Sequence, residues 1–115
     1  MSVHPRWSDA RPDDAAWRAP AGRTREEGRR EQDAAAGSRP ARQLALPDGR
    51  TAMASVELKQ LGRRLYAYLR HQDGGRTVVR YVGQVTATTR EENLTAAWSE
   101  ARRRGLLDDP AAGTR

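Results

Sequence analysis

The sequence predicts an α+β protein: a small three-stranded antiparallel sheet packed on one C-terminal helix, with a long disordered N-terminal tail. Three observations carry this. Between residues 51 and 85 apolar and polar side chains alternate with period two, with glycines punctuating the run. After Val85 the apolar period lengthens to that of a helix. Residues 1–50 instead carry Pro5, Pro12, Pro20, Pro40 and Pro47, with ten arginines and eight acids. Low apolar content of this kind does not repay chain entropy. The expected organisation is a disordered or partner-binding tail over 1–44, a basic β-β-β-α domain over 45–109, and a frayed end over 110–115.

Within the tail one local helix is expected at Thr24 followed by REEGRREQDAAAG, with Thr24 and Glu27 spaced as a capping box. Gly28 interrupts it, and alone it is marginal in water. The first strand is read at 51–59, with Ala52, Ala54, Val56 and Leu58 on one face. A hairpin over 64–85 follows. Its first strand sets Leu65, Ala67 and Leu69 against Arg64, Tyr66, Tyr68 and Arg70, and Asp73-Gly74-Gly75 supplies the turn. Val79 and Tyr81 are expected to join Leu65, Ala67 and Leu69 beneath the helix, leaving Arg80 on the other face. The helix begins at a capping box of Thr89 with Glu92, and Thr88 with Glu91 offers a second register. Leu94, Ala97, Trp98 and Ala101 form its buried stripe, with Trp98 as the core centre. Arg102, Arg103 and Arg104 suit the negative end of the helix dipole, Gly105 ends it, and Leu106 and Leu107 fold back as an apolar cap.

Composition narrows the function. The 115 residues contain no cysteine, which excludes a disulfide framework or thiolate metal site and fits a reducing cytosol. His4 and His71 are too few for a histidine metal site. No apolar run approaches the ~20 residues of a membrane span, and MSVHPRWSDARPDD is unlike a signal peptide. The expectation is a cytoplasmic protein without a membrane partner. The net charge of +6 favours polyanions. Lys59 is the only lysine, however, a pattern that fits the codon bias of a high-GC bacterial genome, so the position of the arginines matters more than their total.

From Glu57 to Val85 six cations (Lys59, Arg63, Arg64, Arg70, Arg76, Arg80) face only Glu57 and Asp73. Tyrosines interleave with them. Arginine pairs with phosphates and guanine edges, and tyrosine stacks or donates to phosphate, so Arg64, Tyr66, Tyr68, Arg70, Arg76 and Arg80 are the candidate nucleic-acid contacts. The competing reading is an ordinary solvated sheet face. Trp7 and Trp17 sit in the tail, where tryptophan is a preferred interface anchor. Either they dock on a larger protein partner or they tuck against this chain's own domain. The edge of so small a sheet also invites pairing with another chain. His71 reads as a surface strand residue.

The strands ending in LYAYLRHQDGGRTVVRYVGQV and the helix beginning TTREENLTAAW resemble three-stranded-sheet-plus-helix DNA-binding domains, found at the N-termini of phage integrases and in the AP2 group. The resemblance covers 51–107 and implies a sheet seated in the DNA major groove, with Arg64, Tyr66, Arg70, Arg76 and Arg80 facing DNA. The same hairpin and helix are similar to short bacterial proteins associated with DNA modification, restriction and short-patch repair. The expectation is therefore a non-enzymatic DNA-binding accessory protein of a bacterial DNA-modification, restriction or phage-defence assembly, without cofactor.

Two alternatives stand beside it. One is a structural subunit that binds protein only. The other is a small nuclease: Pro47-Asp48 followed by Glu57-Leu58-Lys59 matches a PD…ExK pattern, in which two carboxylates hold Mg²⁺ and the lysine assists the attacking water. Against it, Asp48-Gly49 reads as a turn only nine residues before Glu57.

Overall fold

The computed structural model describes residues 11–107. Helix α1 spans Arg25–Ala36, and strands β1 (Gln43–Ala45) and β2 (Thr51–Met53) form a two-stranded sheet. Strands β3 (Ser55–Leu61), β4 (Arg64–Asp73) and β5 (Arg76–Val85) form the antiparallel three-stranded sheet, in the order β3-β4-β5. Helix α2 (Arg90–Arg103) closes the fold. The α+β class, the three-stranded antiparallel sheet and its packing on the C-terminal helix are as the sequence predicts.

Alternation builds the inner face. Val56, Leu58, Leu65, Ala67 and Leu69 are buried, and α2 lays Leu94, Ala97, Trp98 and Ala101 on them, each fully buried. Thr89 caps α2 by accepting from the Glu92 amide at 3.2 Å. Its C-terminus ends in a paired reversal: the Leu106 amide donates to the Ala101 carbonyl and the Gly105 amide to Arg102, both at 3.0 Å, with Gly105 at φ +74°. Leu106 and Leu107 fold back against the core. The Asp73-Gly74-Gly75 turn has φ +61° at Gly74 and +86° at Gly75, the mirror-image turn that suits hairpin twist.

The tail expectation is corrected from residue 11 to 44. The capping box of Thr24 and Glu27 forms as predicted, but α1 is no isolated helix: it packs along α2. Gln32 is buried, and its amide donates to the Val56 carbonyl and accepts from the Val56 amide, both at 3.0 Å. Trp98 Nε1 donates to the same Gln32 oxygen at 3.1 Å. Arg42, buried in the turn after α1, donates to the Ala54 carbonyl, the Ser55 hydroxyl and Asp33. Arg102 reaches back to the Ala36 carbonyl at 3.0 Å. Asn93 ties the preceding segment to α2, donating to the Ala16 and Ala87 carbonyls and accepting from the Ala87 amide. Ala16, Ala36, Leu44 and Leu46 enter the core. Polar side chains anchor this segment, which is why apolar content underestimates its order.

A second correction concerns strand parity. The β4–β5 register runs Ala67 opposite Gly83 but Tyr68 opposite Tyr81, so Val82 is an extra residue forming a bulge. Everything before it on β5 is turned over relative to strict alternation. Val79 and Tyr81, expected beneath the helix, lie on the outer face and are 47% and 48% exposed. Arg80 moves to the inner side, opposite Leu69. The predicted strand over 51–59 is also split at Ala54, whose amide donates to the Arg42 carbonyl at 2.9 Å. His71, read as a surface residue, is instead buried, because it follows Leu69 by two and shares its face.

Candidate functional site

The outer face of the three-stranded sheet lies opposite α2. From the register, it presents Ser55, Glu57, Lys59 and Leu61 of β3, Arg64, Tyr66, Tyr68, Arg70 and Gln72 of β4, and Thr77, Val79, Tyr81 and Gln84 of β5. Its centre is aromatic. Tyr81 meets Tyr66 at 6.2 Å between ring centroids and Tyr68 at 5.7 Å, in tilted and edge-on geometries that suit ring quadrupoles. The bulge at Val82 is what brings Tyr81 to this cluster.

Cations surround the rings. The Lys59 ammonium lies 5.1 Å from the Tyr68 centroid, and the Arg104 guanidinium, reaching round from the end of α2, lies 6.0 Å from that of Tyr81. Arg70 donates to Glu57 at 2.7 Å, which neutralises part of its charge. Lys59 and Arg64 carry no ion pair among the described residues, which leaves their charge available. Four of the six predicted contacts, Arg64, Tyr66, Tyr68 and Arg70, therefore share one face. Arg76 lies at the hairpin turn opposite Asp73, and Arg80 lies on the inner side near His71.

No family model, curated protein or solved structure matches this chain. The site therefore rests on its own geometry.

The remaining predicted residues separate. Asp48 sits in the β1–β2 turn, accepting from the Arg50 amide at 3.0 Å and from its guanidinium at 2.5 Å. The backbone bond from Arg50, aided by its side chain, holds this carboxyl below the usual range. Arg50 also reaches Asp73 at 2.9 Å. Glu57 and Lys59 lie on the outer face of β3, with Glu57 engaged by Arg70. Each carboxylate of the PD…ExK pattern is thus tied to its own arginine. Among the described residues no group of three or more histidine or carboxylate side chains is placed to hold a metal ion. Trp17 packs against this chain's own core, with its carbonyl accepting from Arg90 and the Arg18 guanidinium 4.7 Å over its ring. Trp7 and residues 110–115 lie outside the described residues. Among those described, no helix is long and apolar enough to cross a membrane.

The sequence reading missed Tyr81 and Arg104. An isolated glycine inside a strand pattern is a bulge signal, and Gly83 in RYVGQV carried it. Burial is the chief cause that pushes the His71 imidazole below its ordinary value, with the nearby Arg80 charge adding to it.

Proposed function

We propose that this chain is a non-enzymatic DNA-binding accessory protein whose outer sheet face holds nucleic acid. One observation supports the reading above all: three tyrosine rings form a single cluster at the centre of that face, with Lys59 and Arg64 on the same face and without ion pairs among the described residues. Rings supply stacking surface, and unpaired cations supply phosphate contacts whose counterions are released on binding. We propose with it the setting that the resemblance implies, a bacterial DNA-modification, restriction or phage-defence assembly, with Trp7 meeting a larger protein partner.

Fluorescence anisotropy with labelled DNA, over a range of salt and with Mg²⁺ present, tests the reading. Arg64→Ala together with Tyr68→Ala is expected to weaken binding at least about tenfold and to flatten the salt dependence by about one unit of slope. Arg76→Ala together with Arg80→Ala, on the other side of the sheet, should change it less than about twofold. An unchanged slope in the Arg64/Tyr68 variant sinks the sheet-face model. DNA cleaved with Mg²⁺, and spared in Glu57→Ala and Lys59→Ala, would select the nuclease instead. Salt-resistant capture of protein with no DNA binding would select the protein-only subunit.

A further inference from the structure

A groove of about 600 Å³ runs between α1 and the free edge of β3. Its walls carry Arg23, Arg25 and Arg29 from α1 and the turn before it, Arg42 and Arg90 behind, and Lys59 from β3, against the carboxylate of Glu57. Arg23 and Arg90 converge on Glu31, Arg42 on Asp33, and Arg29 on Glu26. Arg25 and Lys59 have no ion pair among the described residues. At Gly28 the Arg23 guanidinium lies across the helix, within ordinary van der Waals reach of where a β-carbon would stand.

Two occupants suit a groove beside a strand edge, a peptide strand or an anionic backbone. The edge itself decides between them. Its polar groups at Ala54 and Val56 are already taken by Arg42 and Gln32, so the open stretch begins at Leu58 and ends with β3 at Leu61. That is shorter than the five or six residues of a usual strand. Positive charge is what remains on offer. Lys59 joins the two surfaces, since it lines the groove while its ammonium stands 5.1 Å from the Tyr68 ring.

We infer that the groove takes the sugar-phosphate backbone of a single nucleic-acid strand whose bases lie on Tyr66, Tyr68 and Tyr81. The inference rests on the nucleic-acid reading of the sheet face and specifies its substrate as single-stranded. A paired strand turns its bases toward its partner and cannot offer them to a ring while its backbone follows an adjacent groove. An unpaired strand can do both.

The test is anisotropy of the full chain with three fluorescent probes: an oligothymidylate, a duplex of the same length, and a poly-glutamate peptide. The oligothymidylate is expected to bind at least about tenfold tighter than either of the others. Arg25→Ala together with Arg29→Ala should weaken it about tenfold and lower the salt slope by about 0.7 to 1.4, one full single-strand contact at roughly 0.7 for Arg25 and a partial one for Arg29, whose charge Glu26 shares. Arg25→Glu is the second variant. It stands at the first position of α1, where an acid suits the helix dipole, so it should keep the wild-type melting temperature and still weaken binding. Duplex binding equal to or tighter than single-strand binding overturns the inference. So does poly-glutamate binding as tightly as the oligothymidylate. If the oligothymidylate binds, weakens in Tyr68→Ala and is unmoved in both groove variants, the groove assignment falls and the sheet face stands. If no nucleic acid binds at any salt, both fall together.

Discussion

Helices α1 and α2 belong to one core but join it by different chemistry. Helix α2 lays an unbroken stripe of Leu94, Ala97, Trp98 and Ala101 on the inner sheet face, and apolar area removed from water holds it there. Helix α1 offers mainly alanines and is secured at the β3 edge by directed bonds. Gln32 engages both polar groups of Val56, and Arg42, in the turn that follows, holds Ala54, Ser55 and Asp33. The difference teaches that a helix can be integral to a small core while its sequence reads as a polar tail. Burial is non-directional and shows as periodicity. A hydrogen-bonded anchor needs only one well-placed residue and leaves no repeat to read.

The largest test of this contrast is on the α2 side. Trp98→Ala removes the largest fully buried side chain and is expected to cost about 3–5 kcal/mol, measured by urea unfolding. It should loosen both helices, since the indole also donates to Gln32. Next comes Gln32→Leu, which keeps the size but leaves the Val56 amide and carbonyl and the Trp98 N–H without their partner. A cost of about 2–4 kcal/mol is expected, with α1 amides losing hydrogen-exchange protection before those of α2. Gln32→Glu, which keeps the acceptor but sets a buried carboxylate oxygen against the Val56 carbonyl, should cost at least as much. Equal loss of protection in the two helices would mean that α1 has no separate attachment.

The smallest effect is electrostatic. Burial raises the Glu31 carboxyl, but hydrogen bonds from Arg90 and Arg23 outweigh it and hold the group below its ordinary 4.5. The Arg42 bond is the chief cause that holds Asp33 below 3.8. Depressed carboxyls stabilise the fold above their unfolded values, and that contribution is lost as pH falls through the folded ones. The melting temperature should therefore drop on acidification below about pH 4.5, with α1 failing first, since the α2 stripe does not titrate. His71 acts in a higher window. Its folded value is lowered, so its cost begins as pH falls below the unfolded value of about 6.5. A His71→Asn background should remove that earlier part of the decline and leave the acidic part.

The same contrast explains what was legible in the sequence. Period-two alternation placed the β4 face correctly, and the helical stripe placed every buried residue of α2 except Asn93. Parity on β5 failed at Val82, because one extra residue inverts the alternation and only Gly83 hinted at it. The candidate site was legible as far as β4 extends, at Arg64, Tyr66, Tyr68 and Arg70. Tyr81 was hidden by the bulge, and Arg104 by a tertiary reach from the end of a helix. Arg25 and Arg29 were hidden because nothing local says which way a polar helix turns its charges.

The bonds between Gln32 and Val56 carry one more consequence. A side-chain amide that accepts from a strand N–H and donates to the same residue's carbonyl imitates the peptide group of a neighbouring strand. It terminates the sheet at the position where another chain would otherwise add. Helix α1 is then also a guard against fibril growth: each time it detaches, β3 becomes a template for edge-to-edge aggregation. The shelf life of the protein at high concentration should follow the opening of this one helix more closely than the global unfolding of the domain.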